Sequence, residues 1–336
     1  MDALEAALAP TPGSVELLFE LAASDMAQVD ILILDRMQSP VPMIPALAEH
    51  LIAAGGKRLR PLITAAAGRL CGDQGDGRLK LAAAVEFIHT ATLLHDDVVD
   101  GSQLRRGKVA AHLIWGGASS VLVGDFLFAR AFELMVETGA LKALQILARA
   151  ARVIAEGEVL QLTRAHDLDL NQDTYLQIIR GKTAELFAAA AEAGAVVSGA
   201  SAAKTQALSD YGMKLGLAFQ IADDVLDYGG ASEVLGKNAG DDFREGKVTL
   251  PLLLAIQRTG ADEAAFWERT IGRRDQTEAD FRRARDLIVA TGALTTTRDL
   301  AQRYAEEAKA VLQIFEPSDW RASLQALADF AVSRTA

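Results

Sequence analysis

A chain of 336 residues with a formal net charge of −11 is poorly suited to general nucleic-acid binding, because it repels phosphate backbones. Half of the residues are hydrophobic and many are Ala or Leu, which favours helices. The single cysteine, Cys71, excludes an internal disulfide and fits a reducing compartment. The acidic N-terminus lacks the positive charge of a signal peptide, and no apolar run reaches the roughly 18 residues of a membrane span. We therefore expect a cytoplasmic protein without a transmembrane segment.

Apolar residues recur at three- and four-residue steps along almost the whole chain, which predicts helices rather than strands. No linker rich in proline or serine divides the chain, so residues 1–336 are predicted to form one all-α domain. The predicted helices cover residues 45–54, 61–70, 80–100, 118–137, 141–162, 174–198, 202–226, 249–257, 261–270, 278–290, 293–313 and 317–333.

Four charged or glycine-bearing segments separate these helices. Long irregular segments commonly carry function, and the last of the four is the longest. Two of the segments follow an apolar helix that reaches a DDxxD pattern near its C-terminal end. The segments are AAGGKRLRP (53–61), DGSQLRRGK (100–108), HDLDLNQD (166–173) and YGGASEVLGKNAGDDFREGK (228–247).

Each DDxxD pattern places carboxylates close together at the negative end of a helix dipole. Residues four apart share a face of a helix, so the first and last aspartates point the same way and the middle one lies to one side. A few carboxylate oxygens, with room left for water and phosphate, suit Mg²⁺ better than zinc or calcium. One such cluster is equally well explained as solvated surface, but two copies indicate a metal site. The six residues are Asp96, Asp97, Asp100, Asp223, Asp224 and Asp227.

Cations and polar groups accompany both acid patterns. Taken singly, each cation is most simply a solvated surface charge, and His89 a satisfied core histidine. An acidic chain that places cations beside both carboxylate clusters is better explained by a polyanion bridged through Mg²⁺. The candidates are Lys57, Arg60, His89, Arg105, Arg106, Lys182, Thr183, Gln220, Lys237 and Lys247.

At these residues the sequence resembles a trans-isoprenyl diphosphate synthase of the polyprenyl synthetase family. The resemblance is strongest over residues 40–255. It implies a bundle of helices around a deep central cavity, usually a homodimer, that condenses isopentenyl diphosphate with an allylic prenyl diphosphate. It also leaves room for transient membrane contact when the product is released. The motifs that carry it are GGKRLRP (55–61), HTATLLHDDVVDGSQLRRGK (89–108), GKTAELF (181–187), FQIADDVLD (219–227) and GKNAGDDFREGKVTLPLL (236–253).

The resemblance implies a role for each candidate residue. Three Mg²⁺ ions per active site would be held by Asp96, Asp100 and Asp223. Support from nearby or through water would come from Asp97, Asp224 and Asp227. The allylic diphosphate would be held by Arg105, Lys182 and Lys237, and the diphosphate of isopentenyl diphosphate by Lys57, Arg60, His89 and Arg106. The residues beside the developing allylic cation would be Thr183 and Gln220, with Lys247 as a more distant cation.

Product length is predicted from the helix that leads to Asp96, which by resemblance forms a cavity wall. In this family, bulky aromatic residues four or five positions before that aspartate stop chain growth early. Here the two positions are Thr92 and Ala91, both small, and Ile88 and Phe87 lie one turn deeper. By family analogy we expect an all-trans product of about eight to ten isoprene units, the range of quinone side chains.

Four other functions are weighed against this prediction. A short-chain geranylgeranyl or farnesyl diphosphate synthase would share the acid motifs. A non-catalytic subunit of a heteromeric synthase typically loses acid-motif residues, whereas this chain retains all six. A terpene cyclase shares the fold but lacks the second DDxxD in this form. A purely structural helical protein would not need clustered acids. The sequence therefore favours the long-chain synthase.

Overall fold

The computed structural model describes residues 13–53, 56–105, 107–229 and 240–333. These residues are mostly helical, so the predicted all-α class is confirmed. None of the described helices is both long enough and apolar enough to cross a membrane. The helices are α1 (Val15–Arg36), α2 (Met43–Ala53), α3 (Leu59–Leu70), α4 (Gly77–Val99), α5 (Ala111–Trp115), α6 (Gly117–Glu137), α7 (Leu141–Thr163), α8 (Gln172–Ile179), α9 (Glu185–Val197), α10 (Ala202–Gly229), α11 (Asp241–Glu245), α12 (Leu250–Thr259), α13 (Ala264–Trp267), α14 (Glu278–Ala290), α15 (Ala293–Val311) and α16 (Asp319–Ser333).

The described residues form two compact units. The first contains the described residues up to 151, together with 186–212 and 309–327. The second contains residues 152–185 and 213–308 and the described residues after 327. One acid pattern lies in each unit. The single domain and the central cavity expected from the sequence stay predictions.

Helix α1 lies outside the helices predicted from the sequence. It begins at a serine N-cap, where Ser14 Oγ accepts a hydrogen bond from the Leu17 backbone nitrogen at 3.1 Å. Its buried side chains follow the helical repeat, so the signal was present in the sequence. They are Val15, Leu18, Ala22, Asp25, Val29 and Ile33.

Three predicted helices are interrupted or shortened in the structure. The predicted helix 174–198 is α8 and α9 joined by a π-helical turn, Arg180–Ala184. The predicted helix 261–270 is divided among a 3₁₀ turn, the short helix α13 and a second π turn, Glu268–Gly272. The predicted helix 293–313 ends as α15 and continues as a 3₁₀ turn. A uniform 3.6-residue pattern does not reveal a local change of helix type.

The segment 100–108, predicted to be irregular, contains a small antiparallel hairpin of β1 (Leu104–Arg105) and β2 (Lys108–Val109). The segment is too short for an alternating pattern to be read from the sequence. His50 of α2 holds the second strand, because its Nε2 atom lies 3.0 Å from the Val109 carbonyl oxygen. The His50 ring also packs edge-on against Trp115 of α5. These contacts fix the hairpin that carries Arg105.

Small residues allow close helix packing in the first unit. Helix α4 is buried along much of its length, including the consecutive alanines Ala82, Ala83 and Ala84. Helix α9 approaches α3 so closely that a β-carbon at Gly194 would lie 2.4 Å from the Thr64 carbonyl oxygen. An alanine- and glycine-rich sequence therefore supplies the tight packing that surrounds α4, the helix that carries the first acid pattern.

A buried carboxylate joins α1 to α3 and α4. Asp25 is 1% exposed and accepts two hydrogen bonds from each of two guanidinium groups, at 2.7 and 2.9 Å. The donors are Arg69, which is partly exposed, and Arg78, which is 3% exposed. Burial acts to raise the pKa of Asp25, but the hydrogen bonds from Arg78 and Arg69 outweigh it and the pKa is lowered. The ionised form is therefore the stabilised form.

Asp25→Ala should lower the free energy of unfolding by about 3–5 kcal/mol, because it leaves the buried Arg78 without this counter-charge. Chemical denaturation monitored by circular dichroism measures the change. As a control, Glu156→Ala removes an ion pair with Arg152 in which both side chains are more than half exposed. The control should cost only about 0.3–0.5 kcal/mol.

The pH dependence of the same comparison follows from the lowered pKa of Asp25. Its contribution is fully present above the unfolded-state pKa of about 3.9 and is lost as the pH falls through the lower folded-state value. The stability difference between wild type and Asp25→Ala should therefore be constant near neutral pH and shrink under acid. A difference that grows as the pH falls below about 4 would contradict the ion-pair explanation.

Candidate active site

The first acid pattern lies at the C-terminal end of α4. Asp96 and Asp100 are one helical turn apart, joined by a 2.8 Å backbone hydrogen bond from the Asp100 nitrogen to the Asp96 oxygen, and both are half-buried. Asp97 is fully buried and its carboxylate accepts from Arg105, with Nε at 2.9 Å from Oδ1. The middle aspartate thus lies apart from the outer two, as the helical spacing predicts, and it fixes the Arg105 guanidinium.

A second cationic group is assembled in the same unit from α3 and α4. Arg60 Nη1 lies 3.3 Å from His89 Nε2, which brings together two residues predicted to bind one diphosphate. The Arg60 guanidinium also lies over the Phe187 ring, 4.4 Å from its centroid. This cation–π contact holds the arginine on an apolar surface. Lys57, three residues before Arg60, is exposed.

The positions predicted to control product length lie on α4, one to two turns before Asp96. Ala91 and Ile88 are fully buried. Thr92 is half-buried, and its hydroxyl donates to the His89 carbonyl oxygen at 2.8 Å. Of these residues, Thr92 is therefore the most accessible to solvent, and a larger side chain at Ala91 must displace its neighbours.

The second acid pattern lies near the end of α10, in the second unit. Asp223 is half-buried, whereas Asp224 is 2% exposed. Asp224 accepts a hydrogen bond from the Tyr175 hydroxyl at 2.6 Å and one from Gln220 Nε2 at 2.9 Å. Gln220 in turn accepts from the Thr183 hydroxyl at 2.7 Å. The structure thereby connects the predicted residues Thr183, Gln220 and Asp224, and it adds Tyr175, which the motifs did not indicate.

Asp227 caps the segment that follows the second acid pattern. Its Oδ1 atom accepts from the backbone nitrogens of Gly240 and Asp241 at 3.1 and 3.2 Å, and its Oδ2 atom from that of Asp242 at 3.2 Å. These nitrogens lie at the N-terminus of α11, where a side-chain acceptor for the free backbone N–H groups is favoured. Asp227 therefore has a structural task, the attachment of α11 to the end of α10.

The carboxylates of the second pattern are crowded. Burial and the neighbouring Asp242 raise the pKa of Asp224 well above its ordinary value, while hydrogen bonds from Tyr175 and Gln220 act in the opposite direction. Burial and Asp242 likewise raise the pKa of Asp227 to about 8. A positive charge placed nearby would favour the ionised form of each acid.

The donor set fits a hard divalent cation that is only partly enclosed by protein. Among the described residues, no three His, Cys, Asp or Glu side chains converge on one point. Asp96 and Asp100 supply two carboxylates on one face, and Asp97 is turned toward Arg105. Mg²⁺ commonly takes one or two carboxylates and completes its shell with water and substrate phosphate oxygens. The residues present therefore fit Mg²⁺ bound together with a diphosphate.

The π turn Arg180–Ala184 presents Lys182 and Thr183 from the middle of a helical segment. Lys182 Nζ lies 2.8 Å from Glu158 Oε2 of α7. The turn packs directly on α7, where a β-carbon at Gly157 would lie 2.8 Å from the Lys182 backbone nitrogen and 3.0 Å from the Gly181 carbonyl carbon. π turns occur often at functional sites because they re-aim side chains. The pair of glycines allows this close approach.

The remaining predicted residues are only partly described. Arg106 and Lys237 lie outside the described residues. Lys247 is half-buried and its Nζ lies 2.6 Å from Glu245 Oε2. Three residues that the sequence analysis did not name as site residues contact residues that it did name. They are Tyr175, Glu158 and Phe187. The last belongs to the quoted motif GKTAELF, whereas Tyr175 shows only as an aromatic residue two helical turns before Lys182.

Comparison with known proteins gives a consistent result. The polyprenyl synthetase family model matches residues 41–288. The chain is 45% identical to octaprenyl diphosphate synthase of Escherichia coli (strain K12), over 96% of this chain and 99% of that protein. Among solved structures, polyprenyl synthase from Caulobacter crescentus CB15, complexed with calcium and isoprenyl diphosphate, is 73% identical with a TM-score of 0.94, covering 98% and 100% of the two chains. A decaprenyl diphosphate synthase from Rhodobacter capsulatus is 51% identical with a TM-score of 0.92, covering 96% and 99%.

The all-helical fold, the two acid patterns and these similarities define a prenyltransferase enzyme. The chain belongs to the polyprenyl synthetase family. The family predicted from the motifs is thereby confirmed.

Gly157→Ala should disturb the π turn. A helix interior normally favours alanine over glycine by up to about 1 kcal/mol. Here the added β-carbon meets backbone atoms that cannot rotate away, so we expect a loss of about 1–3 kcal/mol in stability together with slower turnover. Thermal unfolding and a steady-state assay of prenyl transfer measure the two effects.

Gly117→Ala in α6 is the matched control. A β-carbon at Gly117 would lie 3.4 Å from Val98 Cγ1, an ordinary van der Waals contact. This variant should fold and react like wild type. Equal behaviour of the two alanine variants would show that the contact between α7 and the π turn tolerates a methyl group.

Proposed function

We propose that this protein is a Mg²⁺-dependent synthase that condenses isopentenyl diphosphate repeatedly with an allylic diphosphate to give a long-chain, all-trans polyprenyl diphosphate. The observation that carries the proposal is that the two acid patterns arrange their first two aspartates in the same way. In each, the middle aspartate is buried and hydrogen-bonded, while the first aspartate stays half-buried at a helix end. Such a design suits metal ions that bind diphosphate.

Asp96, Asp100 and Asp223 are proposed to hold three Mg²⁺ ions. The chemistry that bound Mg²⁺ supplies is neutralisation of the negative charge that develops on the departing diphosphate. Support for a divalent cation comes from the 73% identical Caulobacter crescentus protein, which was crystallised with calcium and isoprenyl diphosphate. Asp97 accepts from Arg105 and Asp224 accepts from Gln220, and these two buried aspartates are proposed to orient the polar groups that act beside the metal ions.

The remaining polar groups are proposed to bind the two diphosphates separately. Arg105, Lys182 and Lys237 hold the allylic diphosphate while its C1–O bond breaks and the bonding electrons leave with the diphosphate. The diphosphate of the second substrate, isopentenyl diphosphate, is held by Lys57, Arg60, His89 and Arg106. Guanidinium groups fixed by Asp97 and Phe187 need little reorganisation when substrate arrives.

The bond-forming step requires protection of a carbocation from water. The double bond of isopentenyl diphosphate attacks C1 of the allylic cation, and a proton is then lost from its C2 to the released diphosphate. Thr183 and Gln220 are proposed to face the cation with their oxygen atoms. An apolar cavity, which the family resemblance implies, is proposed to exclude the water that would otherwise capture it.

The long product follows from the small residues at Ala91 and Thr92 and from the relatives. Octaprenyl and decaprenyl diphosphate synthases resemble the chain over 96% of its length. Geranylgeranyl diphosphate synthases also match, at lower identity, for example 36% over 85% of the chain. The short-chain alternative is therefore less favoured. Incubation with isopentenyl diphosphate, an allylic primer and Mg²⁺, followed by chromatography of the dephosphorylated products, is the direct test.

A homodimer is proposed from an exposed apolar stripe on α6. Leu122, Phe132 and Val136 are 67%, 42% and 64% exposed and recur at helical spacing with Ala118 and Ala129, and the same face carries Asp125, which is 63% exposed. Exposed apolar surface of this kind marks association sites, and most oligomers of one chain are two-fold symmetric. A second copy of this chain, as the family resemblance implies, is the proposed occupant.

Asp96→Ala and Asp223→Ala should each abolish turnover while leaving the fold intact. Both side chains are half-buried carboxylates at helix ends, and removal of one repulsive charge does not open a packed core. Product formation at saturating Mg²⁺ and the thermal melting curve measure the two properties. Near-normal turnover by both variants would exclude the proposed metal ligands.

Ala91→Phe should shorten the product to about three or four isoprene units by family analogy. Because Ala91 is fully buried, the ring must displace neighbours at a cost of about 1–3 kcal/mol, so a lower melting temperature is expected as well. The first condensation on a short primer should continue. An unchanged long product from the folded variant would show that the chain grows along another route.

Leu122→Glu should convert the proposed dimer to a monomer, because a carboxylate in an apolar interface must be desolvated. Sedimentation velocity at several protein concentrations measures the state. Val289→Glu in α14 is the control, since Val289 is 57% exposed but lies away from the α6 stripe in the sequence. Dissociation by the control, or a wild-type monomer, would exclude the α6 stripe as the interface.

A further inference from the structure

A chain of hydrogen bonds runs from Tyr175 of α8, through two residues of α10, to Thr183 of the π turn. The Tyr175 hydroxyl donates to Asp224 Oδ2 at 2.6 Å, and Gln220 Nε2 donates to Asp224 Oδ1 at 2.9 Å. The Thr183 hydroxyl donates to Gln220 Oε1 at 2.7 Å. Tyr175 and Asp224 are each 2% exposed and Thr183 is 6% exposed. The bond between Tyr175 and Asp224 is therefore buried, and the two bonds of the half-buried Gln220 are partly buried.

The chemical groups give this chain a fixed direction. The Gln220 amide turns its nitrogen, which can only donate, toward Asp224 Oδ1. Its oxygen then faces Thr183, whose only hydroxyl hydrogen is used in that contact. The lone pairs that remain on Thr183 Oγ1 and Gln220 Oε1 are acceptors. Thr183 and Gln220 therefore offer hydrogen-bond acceptors, which carry partial negative charge, on the atoms that meet each other.

Tyr175 supplies the donor that holds the far side of the carboxylate. Asp224 is buried and both of its donors described here are uncharged. Loss of the tyrosine hydroxyl would leave Oδ2 without a donor in a dry site, which is costly. The carboxylate would then be held through Oδ1 alone, so it can rotate and no longer fixes the Gln220 amide in one orientation. An amide that is not fixed can turn its N–H groups, which carry partial positive charge, toward the reacting carbon.

We propose that Tyr175 is a positioning residue for prenyl transfer, which holds Asp224 so that Gln220 and Thr183 present oxygen atoms to the allylic cation. This inference rests on the proposed function, which places Thr183 and Gln220 beside that cation. Tyr175 does not touch the reacting atoms. Its effect reaches them through the two hydrogen bonds of Asp224 and the orientation of one amide.

The test is Tyr175→Phe, which removes the hydroxyl and keeps the ring. The single-turnover rate of condensation should fall by about tenfold, the lower end of the range for such supporting groups. The KM values for isopentenyl diphosphate and the allylic diphosphate should stay within about twofold, because other groups hold the diphosphates. A raised KM with an unchanged rate would overturn the proposal.

Tyr211→Phe is the matched control. Tyr211 is also fully buried, and its hydroxyl donates to the Leu324 carbonyl oxygen at 2.7 Å, away from the acid patterns. Both variants lose one buried hydrogen bond and should show similar melting temperatures, but only Tyr175→Phe should be slow. Equal rates in the two variants would overturn the proposal, as would unfolding of Tyr175→Phe alone, since the hydroxyl would then have a structural role.

A double-mutant cycle with Gln220→Leu tests whether Tyr175 acts through the amide. The double variant should be no slower than Gln220→Leu alone, because the amide that Tyr175 orients is already absent. Rate losses that multiply would overturn the proposal. Wild-type protein that fails to condense any allylic diphosphate with isopentenyl diphosphate would instead overturn the proposed function, and this inference with it. Active wild type therefore separates the two failures.

Discussion

A carboxylate removed from water must meet hydrogen-bond donors, and both acid patterns are built around that requirement. Asp97 is fully buried and is met by the Arg105 guanidinium. Asp224 is met by a tyrosine hydroxyl and a glutamine amide. The two patterns thus use different donors for the same position. In the first the buried aspartate fixes a cation, and in the second it fixes a neutral polar pair. The cation in the first pattern matches the diphosphate proposed to bind beside it. The polar pair in the second pattern matches the proposed carbocation.

Backbone packing provides the second requirement of the site. Lys182 and Thr183 reach their positions because a π turn interrupts the helix and because Gly157 and Gly181 let two backbones approach closely. Glycine and alanine recur where helices must lie near one another, as at Gly194 against α3. The alanine-rich composition is therefore a packing property as much as a helix preference. It holds the helices that carry charged groups in fixed positions, which limits reorganisation during the reaction.

The family assignment and the site geometry support each other from independent directions. Similarity extends over nearly the full chain, including a 73% identical relative of known structure. The geometry gives the aspartates of the two patterns different tasks: Asp96 and Asp100 share an accessible face, Asp97 orients an arginine, and Asp227 anchors α11. If all aspartates of a DDxxD pattern were taken as equivalent metal ligands, these different tasks would be overlooked. The proposed ligands are accordingly the outer aspartates of the first pattern and the first of the second.

The sequence alone determined the all-α class, the family and the relation of residues within each acid pattern. These properties depend on helical periodicity and on spacings of a few residues, which local hydrogen bonds impose wherever the segment lies. Helix α1 could also have been predicted, since Ser14 and a periodic apolar face mark it. The donor to Asp224 could not, because Tyr175 lies 49 residues away and on another helix. The π turn at Lys182 depends likewise on the backbone of α7. Only tertiary packing decides which distant group enters a dry site, because burial makes each unpaired charge costly and so selects its partner.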